Sequence, residues 1–198
     1  MKKVLLSVIA LASFTVATAQ DGLKGTWWAA GQLQFGSTKT GDVKTTSNTI
    51  LPIVGTFISP SVTVGAGVGV MNSKSETGST TTAESTTLII KPLVRKYWNV
   101  KGGLFFYGQA ALPIMMGENK KTEYKTTSFA LELAPGFDYV VNKWLTVETS
   151  FNILSIGSVT EKPKTGDKTT SFGFNANPMN SVADRTLGGL QVGVKFLF

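Results

Sequence analysis

The chain alternates apolar-patterned segments with stretches rich in Thr, Ser, Lys and Gly. Residues 190–198, LQVGVKFLF, show the pattern most plainly. Leu190, Val192, Val194, Phe196 and Phe198 fall on one side, with Gln191, Gly193, Lys195 and Leu197 on the other. A strict period of two marks a β-strand with two unlike faces. Segment 26–36, TWWAAGQLQFG, sets Trp27, Ala29, Leu33 and Phe35 against Ala30, Gln32 and Gln34. Further segments are read at 49–58, 61–71, 88–98, 104–116, 127–139 and 144–156, giving about eight strands in all. SFGFNAN, residues 171–177, is a candidate extension of the sheet. No helical periodicity competes.

The connections alternate too. Polar stretches 37–48, 73–86 and 118–125 are long, whereas the turns at 59–61, 99–102 and 141–143 are short. One parity of the strands is apolar throughout. The other carries Gln32, Lys91, Arg95, Gln109, Glu132, Glu148, Gln191 and Lys195. A water-soluble barrel would bury its apolar face. Here the charged positions are too many for a core, and the apolar face is what hydrocarbon demands of a closed, fully hydrogen-bonded structure. The pattern therefore predicts an all-β, closed antiparallel transmembrane barrel with long extracellular loops and short periplasmic turns. With both termini periplasmic, Trp27, Trp28, Trp98 and Trp144 fall at one end as an interfacial girdle, joined by Tyr139, Phe196 and Phe198. Pro52, Pro92, Pro113 and Pro135 sit inside proposed strands, so bulges or shorter strands are expected there.

Depth along the strands sorts the inward charges. Arg95, Asp138, Glu148 and Lys195 lie within roughly 10 Å of the periplasmic end, while Lys91 and Glu132 lie roughly seven to eight residues up. Gln109 and Gln191 stand near the upper pair. An eight-stranded barrel has an interior that side chains just fill. These eight residues are read as a salt-bridged polar network plugging the lumen. Gly65, Gly67 and Gly69 are spaced wrongly for a dinucleotide loop, and are expected to thin the wall beside Lys91 and Arg95.

Composition narrows the function. Of 198 residues, none is Cys and none is His. That removes disulfides, thiolate chemistry, Ser-His-Asp triads and the commonest metal ligand. No catalytic, cofactor or metal site is expected. The formal charge of +7 is spread over loops rather than gathered in a patch, which argues against nucleic acid. Residues 1–19 have a Lys2-Lys3 start, an apolar stretch and an Ala17-Thr18-Ala19 cleavage site, and are expected to be a cleaved signal peptide. Residues 20–198 then form the barrel domain.

PIVGTFISPSVTVGAGVGV (52–70), KPLVRKYW (91–98), APGFDYVV (134–141) and the last strand together resemble the small outer-membrane β-barrels of the OmpA/OmpX type. The resemblance covers essentially the whole chain after residue 19. It implies an outer-membrane location, a monomer, and contact with outer-membrane lipids and lipopolysaccharide. It also implies recognition by the barrel-assembly machinery through Gln191, Gly193, Phe196 and Phe198. The enzymes among such barrels depend on His, so none is expected here. A structural or cell-surface interaction role through the polar loops, with an extracellular protein or surface ligand as partner, is the leading reading. A narrow channel or small-ligand carrier is the alternative.

Overall fold

The computed structural model describes residues 23–121, 123–176 and 190–198, of which Leu190 and Gln191 are described in backbone only. The expected leader, 1–19, lies outside the described residues. Strands β1 (Trp27–Thr40), β2 (Val43–Ser59), β3 (Val62–Thr77), β4 (Thr80–Lys101), β5 (Leu104–Ala111), β6 (Ile114–Asn119), β7 (Tyr124–Val140), β8 (Leu145–Phe151), β9 (Leu154–Lys162), β10 (Thr169–Asn175) and β11 (Leu190–Leu197) are joined into one antiparallel sheet. The sheet closes on itself. Its ring runs β1, β2, β3, β4, β5 with β6, β7, β8 with β9, then β11 back to β1, so eight staves make the barrel. β10, which contains most of the SFGFNAN segment, extends the sheet by pairing with β9. The β1–β11 seam holds Trp28↔Leu197 through Ala30↔Lys195, and Trp27 and Phe198 exchange backbone hydrogen bonds beneath it.

Two of the polar stretches expected as long loops are strands. Segment 37–48 continues β1 and β2 around Gly41-Asp42, and segment 73–86 continues β3 and β4 around Gly78-Ser79. Thr is a good strand former, and polar composition alone cannot distinguish a loop from a strand in water. Gly41 and Gly78 each have φ of 60°, the positive value that a two-residue hairpin turn with glycine first requires. The end of the ring bearing these turns is termed upper, and the end with the turns at 60–61, 102–103 and 141–144 lower. Outward apolar side chains on β4 run from Trp98 up to Leu88, the roughly 9–11 residues a tilted strand needs to span hydrocarbon. Above them β4 continues as Thr80–Thr87, all polar but Ala83.

Each proline inside the barrel faces an interruption in a ladder, as a residue without an N–H must. The β2–β3 ladder skips Leu51 and Pro52, between Ile50↔Val70 and Ile53↔Gly67, with the register unchanged on either side. Pro92 and Pro113 share one break, where β4 changes partner from β6 to β5 and Leu112 donates to the Pro92 carbonyl at 3.0 Å. Pro135 lies where β7 changes partner from β9 to β8. The segment read as one strand over 104–116 is accordingly two, β5 and β6. The segment at 144–156 likewise divides between β8 and β9 at Asn152 and Ile153.

Candidate functional site: a charged network across the lumen

Period two carries Lys91, Leu93, Arg95 and Tyr97 of β4 to the lumen, and Phe105, Tyr107 and Gln109 of β5 beside them. β7 contributes Glu132 and Asp138, β8 Glu148 and β11 Lys195. Arg95 is the hub. Its guanidinium donates to Glu148 from Nη1 at 2.6 Å and from Nη2 at 3.4 Å, and its Nε donates to Gln109 Oε1 at 2.7 Å. The same group lies over the rings of Trp28 and Tyr107, 5.1 and 4.8 Å from the centroids. A planar cation takes carboxylate at its edge and aromatic faces on its flat sides, so Lys would not substitute for Arg95.

Lys195 completes the lower layer. Its ammonium pairs with Asp138, donates to the Tyr97 hydroxyl at 3.2 Å and approaches Glu148 to 4.0 Å. Tyr97 lies on β4 and Lys195 on β11, four staves apart in a ring of eight. That hydrogen bond crosses the full width of the lumen. Arg95, Asp138 and Lys195 are at most 3% exposed, so each charge has lost its water and needs the others. Higher up, Lys91 and Glu132 pair at 3.1 Å, but the Glu132 side chain keeps 25% exposure. That pair is wetted and correspondingly weaker.

Three expectations are corrected by this geometry. Gln109 belongs to the lower layer with Arg95, because the β4–β5 register sets the two directly opposite. Trp28 is not in the girdle. With Trp27 outward, alternation turns Trp28 into the lumen, where it is fully buried and its Nε1 donates to Thr63 Oγ1 at 2.5 Å. The glycine wall makes room for that indole, along with Leu51 and Ile53, rather than for Lys91 and Arg95. A Cβ on Gly65 would stand 2.9 Å from Trp28, and one on Gly55 would stand 2.4 Å from it. The side chain of Gln191 lies outside the described residues. Trp28, Thr63, Tyr97 and Tyr107 were missed as members of the layer. Parity alone places Tyr97 beside Arg95 and Tyr107 beside Gln109.

Residues 6–177 match the family described as Outer membrane protein beta-barrel domain. The chain belongs to that family. Among solved structures it is similar to the crystal structure of the outer membrane protein OprG from Pseudomonas aeruginosa. That match has TM-score 0.46 and 13% identity, covering 91% of this chain and 99% of that one. A search of curated proteins finds no match. The family points to the outer membrane.

In an outer-membrane barrel the outward side chains meet lipid. Trp27, Trp98, Tyr139 and Trp144 are each about half exposed on that face at the lower end. Phe196 stacks on Trp144 with centroids 6.0 Å apart, and Gly193 lies beside Glu148. At the upper end, exposed pairs tie hairpin residues together: Lys74 with Glu76 at 2.5 Å and Lys120 with Glu84 at 3.0 Å. The hydrogen bonds from these ammonium groups hold both carboxyls below their usual range. Both pairs are thus present at neutral pH and are lost as pH falls through those lowered values.

Proposed function

We propose that this is a plugged outer-membrane barrel, not a diffusion pore, that holds β-hairpins above the membrane as a surface for an extracellular protein or ligand. The supporting observation is the lower layer: side chains from β1, β3, β4, β5, β7, β8 and β11 meet across the lumen and satisfy one another's charge. With neither His nor Cys in the sequence, the protein is taken to be no enzyme. The upper hairpins offer Thr-rich strands whose backbone can pair with a partner strand. A narrow channel or ligand carrier remains the second reading, favoured by the water-exposed Glu132 higher in the lumen.

The same proposal places residues 1–19 as a cleaved signal peptide and both ends of the mature chain in the periplasm. The last strand, with Gly193, Phe196 and Phe198, is then the assembly signal. The lower aromatic girdle supports this orientation. Protease added to intact cells is expected to cut at the hairpin tips near Gly41-Asp42 and Gly78-Ser79, and to spare the Pro60-Ser61 turn. Cutting confined to the lower turns would reverse the topology and remove the surface role.

A further inference from the structure

The strand breaks near Pro113 and Ile153 border a groove of about 390 Å³ in the lipid-facing wall. Its floor is Gly108 and Ala110 of β5. Val94 and Lys96 of β4 form one side, and Leu133 and Pro135 of β7 the other. The registers set Lys96, Gly108 and Pro135 abreast, with Val94, Ala110 and Leu133 abreast one step higher. Small side chains at the centre and larger ones at the flanks give a slot that runs upward from Lys96, walled by carbon.

Lys96 is out of place on that wall. It is exposed, and its parity is that of Val94 and Trp98, not of the lumen charges Lys91 and Arg95. Among the described residues it is the one charged side chain facing outward within the apolar band. Its Nζ reaches down to donate to Ser61 Oγ at 2.5 Å, which holds the ammonium at the level of the lower turn with two N–H groups left over. Trp98 stands just below, its ring 3.6 Å from where a Gly108 Cβ would be, at the depth where aromatic rings meet headgroups. The nearby lower turns carry Lys24, Lys101 and Lys143 and, among the described residues, no acid. This end of the barrel is therefore matched to anionic groups.

We propose that the groove holds one glycerophospholipid of the periplasmic leaflet, its phosphate on Lys96 and an acyl chain along Gly108 and Ala110. The phosphate accepts from the ammonium, and the chain fills a slot that annular lipid would otherwise cover loosely. The leaflet assignment rests on the orientation proposed above.

Native mass spectrometry of the full mature protein, purified in detergent and titrated with palmitoyl-oleoyl-phosphatidylglycerol, tests this. Wild type should retain one lipid. Lys96→Gln should weaken retention about tenfold, as loss of one charge-assisted contact does, and Lys96→Arg should restore it. Ala110→Phe should also weaken it by filling the slot, and diacylglycerol, which lacks phosphate, should bind no better to wild type than to Lys96→Gln. Should Ala110→Phe fail to assemble, the Lys96 variants decide alone. Equal retention in wild type and Lys96→Gln would overturn the site. So would a dimer mass in place of the lipid adduct, which would make the groove an interface between copies. Selective retention of lipopolysaccharide would instead overturn the leaflet assignment and, with it, the orientation.

Discussion

Glu148→Ala is expected to destabilise the barrel by about 3–5 kcal/mol, because it leaves the Arg95 guanidinium buried with its charge uncompensated. Urea unfolding of the protein in lipid vesicles, followed by the gel mobility of the folded form, measures this. The cost arises from stranding one partner, not from the pair's net worth. Exchanging both, as in Arg95→Met with Glu148→Leu, should therefore recover a large part of the loss. Glu132→Ala provides the internal contrast. Its carboxylate keeps contact with water, so its removal should cost about 1 kcal/mol or less. Equal losses for Glu132→Ala and Glu148→Ala would mean that the lower layer is as wet as the upper pair.

Trp28→Ala is the second large effect. The indole is the largest fully buried side chain among the described residues, and it packs on the Gly55 and Gly65 wall, hydrogen-bonds Thr63 and caps one face of Arg95. Emptying that space should cost about 3–5 kcal/mol in the same assay. Trp98→Ala, which removes an indole of the same size from the lipid-facing girdle, should cost clearly less, because lipid can refill the surface. A smaller loss for Trp28 than for Trp98 would return Trp28 to the girdle.

Period two made the barrel legible, since it survives whatever the strand boundaries are. The same period sends Lys91, Arg95, Glu132, Glu148 and Lys195 inward, and depth from one end groups them. Register is where reading by depth failed. Gln109 was placed beside Lys91, yet β4–β5 pairing sets it against Arg95, and only the ladder, broken at Pro92 and Pro113, fixes that offset. Trp28 was misread because composition was allowed to outweigh parity: two adjacent residues of a strand cannot share a face. The upper hairpins were read as loops because Thr, Ser and Lys suit both water and strands. Lys96 has no place in the sequence reading, although parity puts it among the lipid-facing side chains.

The central claim is that the lower layer closes the lumen. Planar-bilayer recording of the purified wild-type protein tests it most directly. The network of Arg95, Glu148, Lys195, Asp138 and Tyr97 should leave the membrane silent under applied voltage, with no steady conductance of nanosiemens scale. Steady openings of that size from the wild-type protein would contradict the plug and establish a channel.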